Sequence, residues 1–446
     1  MSEPNAVETS ASANLANRSR FRDMVRSLKH RNFQLFFSGQ LISLVGTWMD
    51  MIAEAWLVYR LTGSSLLLGT VAFAGQIPVV LFAPLGGMAA DRWNRRKIVI
   101  ATQTVSMILA FILAMLTLTK RITVPEVMVL AALMGVVNAF DLPARQAFLV
   151  EMVGREDLMN AIALNSSIFN GARIIGPSVA GILVASVGEG WCFFANSVSY
   201  IAVIAGLLMM RIAPRQHERV LASPFDHIVE GFRFVRDTAP IRAVLTLLGL
   251  VSLAAMPYAV LMPIFAARVL HGNARTLGVL MTATGIGALG GALLLASRTK
   301  VQGLGRWITI ACGCVGVSLI LFSCSRWQLL STILLVPVGF SMMTYMASSN
   351  TLIQSMVPDR LRGRVMAVYA MMFMGMAPLG ALLAGFSADH IGAPWTVAVG
   401  GVLAILGGTA FGRYLPKIRV EARELIIAQG LAGGEPAQEM TVRVVS

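Results

Sequence analysis

The sequence predicts an all-α membrane protein, with twelve transmembrane helices in two pseudo-symmetric six-helix bundles. Three observations carry this reading. The 446 residues are 56% hydrophobic and only 13% charged, where soluble domains average about 45–50% and about 25%. Twelve apolar runs each approach the roughly 20 residues a helix needs to cross the hydrocarbon core. Glycines recur between the two halves at a fixed offset of 204 residues, the mark of an internal duplication.

The elements follow in chain order. Residues 1–32 form a polar, basic tail that lacks the apolar core and small-residue cleavage site of a signal peptide. The first bundle spans residues 33–212, with apolar runs at 33–59, 66–90, 98–118, 125–148, 158–187 and 191–212. Residues 213–240 are the longest polar stretch between runs, a linker whose stretch 225–235 has helical periodicity and suits the membrane interface. The second bundle spans 241–412, with runs at 241–266, 276–297, 307–323, 328–357, 365–391 and 394–411, and residues 413–446 form a second tail. Barrel strands would be about 10 residues of alternating character; these runs are longer and uniformly apolar.

Charge assigns the sides. Of 36 Lys and Arg, 28 fall in the tails and even-numbered connections, six in the odd-numbered ones, and two, Arg145 and Arg173, inside spans. The positive-inside rule then puts both termini in the cytoplasm of a bacterial inner-membrane protein. This sorting explains the net charge of +14 as topology rather than as a nucleic-acid surface. The four cysteines, Cys192, Cys312, Cys314 and Cys324, lie in apolar runs, without disulfide or zinc spacing.

In the repeat, Gly171, Gly176, Gly181 and Gly188 align with Gly375, Gly380, Gly385 and Gly392. At the same offset Gly86-Gly87 aligns with Gly290-Gly291, pairing the ends of spans two and eight. Duplicated six-helix halves around a central cavity are a transporter arrangement. No phosphate-binding glycine loop with its lysine, metal-binding helix or nucleophile–base pair occurs, so an enzyme, a catalytic residue, a cofactor and a metal site are not expected.

The connection after span two reads Gly87-Met-Ala-Ala-Asp91-Arg92-Trp-Asn94-Arg95-Arg96. It resembles the Gly-x-x-x-Asp-Arg-x-Gly-Arg-Arg signature of the major facilitator superfamily. Asn94 replaces a glycine there, and asparagine tolerates the left-handed backbone expected of such a turn. The resemblance implies that span eleven is the neighbour, with Asp91 at its N-terminus, where the helix dipole favours negative charge. Gly87, Asp91, Arg92, Arg95 and Arg96 would then form a conformational latch. Gly176-Pro177-x-x-Ala180-Gly181 in span five is similar to the antiporter motif of exporters in this superfamily; its proline kinks a helix and its small residues allow close packing. Segments such as Pro143-Ala144-Arg145 and Pro358-Asp359-Arg360-Leu361-Arg362-Gly363-Arg364 resemble the branch that holds the enterobactin exporter and related bacterial efflux proteins.

Ionisable groups at membrane depth are functional candidates. Asp50 and Glu54 are spaced i, i+4 on one face of span one. Two carboxylates so close in a low dielectric resist being charged together, as a proton carrier requires. Asp141 lies one turn from Arg145 in span four, and Arg173 sits in span five with Asn165 and Asn170; these five are the candidate charge and substrate network, an intramembrane Arg needing a partner. Arg173 is also the natural attractor for an anion. Methionines clustered in spans ten and eleven suit a pocket for varied apolar shapes.

The expected function is proton-coupled export of a small amphipathic molecule, a drug or siderophore, by a monomer that alternates access across the bilayer. Metabolite uptake and a non-transporting sensor are the alternatives. A reporter active only in the periplasm, fused at the N-terminus, is expected to be silent; an active fusion would overturn the topology.

Overall fold

The computed structural model describes residues 26–154, 156–211, 224–297 and 303–429. The linker residues Arg215, His217, Glu218 and Arg219 lie outside this range. Among the described residues there are helices and no strands, and twelve helices are long and apolar enough to cross a membrane. They are α1 (Arg31–Thr62), α2 (Ser65–Arg92), α3 (Arg95–Leu118), α4 (Val124–Val153), α5 (Leu158–Val187) and α6 (Glu189–Met209) in the first half. The second half holds α7 (Ala239–Val269), α8 (Ala274–Ala296), α9 (Leu304–Cys324), α10 (Gln328–Met356), α11 (Asp359–Ile391) and α12 (Ala393–Ala428).

Local chemistry sets the ends. Ser64 caps α2 by accepting the Leu67 N–H, and Thr123 with Glu126 forms a capping box on α4, satisfying donors that a helix start leaves free. Gly188 and Gly392 take equivalent turns with φ of 91° and 86°, a backbone region open to glycine. Asn94 behaves otherwise than expected. Its φ is −64°, and its side chain accepts the Lys97 N–H as the N-cap of α3. The turn is extended rather than left-handed, and asparagine serves it through its side-chain oxygen.

α7 is broken. An α-helix over Ala239–Ala254 tightens to a 3-10 stretch at Met256–Leu261 and widens to a π-turn at Phe265–Val269. Pro257 and Pro263 remove backbone donors here, which is what breaks the ladder. At the other extreme, α12 continues past Pro416 to Ala428, well beyond the apolar run that ended at Phe411. Its 36 residues span about 54 Å, more than the roughly 30 Å of a hydrocarbon core. The extension is amphipathic, with Ile418 only 4% exposed against the core while Arg413, Lys417 and Arg419 face outward. The linker helix, Pro224–Asp237, is pinned to the second half: Glu230 pairs with Arg364, and Gly231 lies on the Arg364 carbonyl.

Within the first half α2 packs along α4, while α1 packs on α5 and α6 and α3 on α6; the second half repeats this with α8 on α10, α7 on α11 and α12, and α9 on α12. The two halves meet along two antiparallel pairs, α2 with α11 and α5 with α8. Both contacts are backbone to backbone. A Cβ on Gly69 would lie 2.4 Å from the Ala381 carbonyl oxygen and 3.1 Å from Gly385 Cα. A Cβ on Gly278 would lie 2.6 Å from the Pro177 carbonyl oxygen and 2.8 Å from Gly181 Cα. Ser178 and Thr282 hydrogen-bond across the second pair at 2.7 Å.

These contacts give the register of the duplication. Gly181 and Gly385 play the same part and are 204 residues apart, as are Gly135 and Gly339 in α4 and α10. Their partners Gly69 and Gly278 are 209 apart, and so are the N-caps Ser64 and Asn273. The equivalence of Gly86-Gly87 with Gly290-Gly291 is therefore wrong by five residues, because α2 is 28 residues long and α8 only 23.

All of these contacts sit at the face away from the linker helix and the Arg92–Lys97 connection, here called the basic face. Towards the basic face no such close crossing occurs at the glycines of these helices: a Cβ on Gly87, Gly171 or Gly363 would meet nothing within 4 Å. The closest approaches of the two halves thus lie at one face. Replacing Gly69 or Gly278 by leucine is expected to force that face apart. A single cysteine at Ser178 should then react several-fold faster with an impermeant thiol reagent added from that side; an unchanged rate would contradict the close approach.

Candidate substrate and coupling site

The polar groups of the first half form one buried system. Asp141 on α4 is 1% exposed. It accepts Thr102 Oγ1 at 2.7 Å and Gln103 Nε2 at 3.0 Å from α3, and it pairs with Arg145 one turn on. Arg145 Nη1 donates to Gln40 Oε1 of α1 at 3.0 Å. Three helices are thereby joined through one carboxylate and one guanidinium. The pairing partner of Asp141 is Arg145 rather than Arg173.

Asp50 and Glu54 sit one turn apart on α1, both half-buried. Because α1 continues to Thr62, Glu54 is about 12 Å short of its end. Asp50 stands beside Asn196 of α6, where Gly46 lets α6 come close, a Cβ there falling 2.7 Å from Asn196 Oδ1. Tyr200, one turn along α6 and 6% exposed, links this pair to the Asp141 group. Its hydroxyl lies beside Thr47 and Asn196 and within electrostatic reach of both Asp50 and Arg145. Asp50 Oδ1, Gln40 Nε2, Gln103 Oε1 and Arg145 Nε are buried without a hydrogen-bond partner, a costly state in a low dielectric. Sequence reasoning missed Tyr200 and Asn196. Their signal was an i, i+4 polar pair in an otherwise apolar span.

Arg173 occupies a different place, where the halves meet. Its guanidinium lies 5.7 Å from the centroid of Trp48 on α1, within cation–π range. Trp48 meets Phe169 edge to face at 5.6 Å, and Tyr258, in the broken stretch of α7, lies in the field of the same guanidinium. Among the described residues Arg173 forms no ion pair. Gly176 lets α5 sit against Trp48 and the Val45 carbonyl, while Pro177 and Gly181 make the contact with α8. The antiporter-like motif is thus the surface on which α5 holds both α1 and α8. Asn170 spends its amide on the Ser166 carbonyl at 2.8 Å, and Asn165 is half-buried. Of the methionines, Met342 and Met356 are core, whereas Met371 and Met374 are 40% and 38% exposed.

The loop motif is only partly engaged. Arg95 donates to the Ala90 carbonyl at 3.0 Å and to Glu151 at 2.9 Å, and Arg96 to the Leu207 carbonyl at 2.8 Å. These contacts brace α2 and α3 against α4 and α6, all within the first half. Arg92 is exposed, and the Asp91 carboxylate is 68% exposed with only Arg95 nearby, at 4.0 Å. Among the described residues Asp91 makes no ion pair with α11. A second carboxylate at the basic face is fully engaged. Asp157, at the start of α5, takes Lys29 at 2.8 Å, His30 at 2.7 Å and Arg26 at 2.5 Å. Lys29, then His30 and Arg26, hold its carboxyl well below the usual carboxylate range.

Breaking a buried pair leaves an uncompensated charge at a cost of about 3–5 kcal/mol, while replacing both partners by apolar residues is often neutral. Asp141→Leu alone is therefore expected to lose folded protein, and Asp141→Leu with Arg145→Met to regain most of it. Yield and thermal midpoint in detergent measure this; a double variant as poor as the single would refute it.

The chain matches the family described as transmembrane secretion effectors over residues 24–433. It is similar to the staphyloferrin A transporter of Staphylococcus aureus, 26% identical over 87% of this chain and 98% of that protein. The multidrug efflux pump Tap of Mycolicibacterium fortuitum is 29% identical over 86% of this chain and 96% of its own length. The enterobactin exporter EntS of Shigella boydii is 25% identical over 85% and 90%. Among solved structures, the nucleoside transporter NupG superposes with a TM-score of 0.67 at 14% identity, covering 86% of this chain and 98% of its own. A bacterial homologue of the lysosomal transporter Spinster superposes with a TM-score of 0.65 at 14% identity, covering 91% and 99%. The chain belongs to the transmembrane secretion effectors of the major facilitator superfamily, and is a multi-pass membrane transporter rather than an enzyme.

Proposed function

We propose that this chain exports a small amphipathic molecule, of the drug or siderophore kind, by proton-driven alternating access across a bacterial inner membrane, with the basic face in the cytoplasm. The observation that carries this reading is the pattern of inter-half contacts, made at Gly69–Gly385 and Gly181–Gly278 and absent around Gly87, Gly171 and Gly363. Two rigid halves that approach most closely at one face match one of the two states such a cycle needs. The similarity to a multidrug efflux pump and to an enterobactin exporter supports the direction.

In this reading substrate enters from the basic face and rests against Arg173, Trp48 and Phe169, an aromatic cradle around a cation. Asp50 and Glu54 take protons from outside when the far face opens and release them inside. Tyr200 and the unpaired atoms of Gln40, Gln103 and Arg145 offer the polar route between those carboxylates and the inner end of α4. Asp91 docks on the N-terminus of α11 when the basic face closes, where the helix dipole favours it. Substrate and protons thus bind on opposite sides of α1, one group facing α5 and the other α6. The unit is a monomer in this reading, since each half finds its partner within the chain.

Asp50→Asn is expected to abolish substrate movement driven by a pH gradient in inverted vesicles, while leaving downhill movement within about twofold of the parent. Gradient-driven transport unchanged in both Asp50→Asn and Glu54→Gln would remove proton coupling from α1.

A further inference from the structure

At the basic-face end of α7 and α12 the surface holds a groove with a volume of about 480 Å³. Arg242, Thr246 and Leu250 of α7 and Gly407, Ala410 and Tyr414 of α12 form its walls. α12 packs on α7, α9 and α11, all in the second half. Next to the groove it presents Val399, Val402 and Leu406 outward, each 45% or more exposed. The groove therefore faces the surrounding bilayer and not the space between the halves.

Its two ends differ in chemistry. Arg242 is exposed in the first turn of α7, the level of the lipid headgroups, and forms no ion pair among the described residues. Its Nη1 donates to the Arg236 carbonyl at the end of the linker helix, which fixes the guanidinium at the groove mouth and leaves its other donors free. Lys417 follows one turn after Tyr414 on α12 and is exposed, with Glu421 one turn further on. From Arg242 to Leu250 the groove runs about 12 Å inward, and beyond Thr246 its walls are apolar.

We propose that this groove binds an anionic phospholipid, its phosphate on Arg242, Tyr414 and Lys417 and one acyl chain along Thr246, Leu250 and Gly407. A guanidinium matches a phosphate with paired donors, tyrosine suits the interface, and basic pockets between membrane helices favour anionic headgroups. A zwitterionic lipid would carry its own cation into this cluster and gain less. The site is separate from the transport reading and does not depend on it.

The test is native mass spectrometry of the full chain, extracted from vesicles of phosphatidylcholine mixed with phosphatidylglycerol. The parent is expected to retain phosphatidylglycerol in excess over its share of the vesicle. Arg242→Gln and Lys417→Gln should each reduce that excess about fivefold. Thr246→Trp, which fills the groove and keeps the charges, should lose it as well. A thermal midpoint within a few degrees of the parent identifies the folded variants, and Arg242→Lys serves as the milder substitute if Arg242→Gln fails to fold. Retention proportional to vesicle composition in the parent would overturn the proposal, as would an excess that survives all three substitutions. So would complete displacement by free glycerol phosphate, since the apolar walls would then play no part.

Discussion

The architecture depends on backbone-to-backbone contact between helices that lack side chains at the crossing. In lipid there is no hydrophobic drive for one apolar helix to leave its neighbours for another, so association rests on packing and on polar contacts. Gly69 with Gly385 and Gly181 with Gly278 let α2 and α5 of one half reach α11 and α8 of the other. These four small residues make the closest approaches of the seam between the two bundles, which Ser178 and Thr282 join by a hydrogen bond. The closest of these approaches lie at one face, and Arg173, whose carbonyl lies against Gly285, stands where the seam continues inward.

The second organising constraint is the price of charge away from water. The first half places Asp50, Glu54, Asp141 and Arg145 within its spans, whereas the second half's carboxylates in α11 stand at its ends, Asp359 and Asp389. The halves have thus divided labour. One carries an internal ionic system tied across α1, α3, α4 and α6; the other carries a broken helix and the amphipathic elements at the basic face. Arg173 stands between, stacked on tryptophan instead of paired with a carboxylate, which keeps its charge available to a ligand.

The fold was legible because lipid removes alternatives. Length and apolarity alone decide that a run spans, and the sorting of lysine and arginine supports the proposed orientation. Residue roles were legible in proportion to how locally they are set. The i, i+4 geometry of Asp141 and Arg145 foretold their pairing, and Gly176 and Pro177 announced a packing face. What could not be read was anything fixed by the neighbour of a helix. Asn94 carries no mark that distinguishes a left-handed turn from an extended cap. Tyr200 looks like one more large residue of α6 until α1 and α4 are placed around it. Gly86-Gly87 matched Gly290-Gly291 by composition, but register is decided by which carbonyl a glycine lies against, and the sequence does not show carbonyls.

The five-residue difference between α2 and α8 has a consequence for the energetics of the proposed cycle. Carried at 209, the register of α2 runs off the end of α8 after Gly87, so the last five residues of α2, Asp91 among them, have no helical counterpart in α8. The two-fold symmetry of the repeat is therefore broken in length at the basic face. A symmetric machine would draw its two access states towards equal depth, each closure mirrored by a twin. In the cycle proposed above, the extra turn that carries Asp91 belongs to one repeat only, so the free-energy profile would be tilted by construction, and the bias between resting states would be tunable in one repeat without disturbing the other.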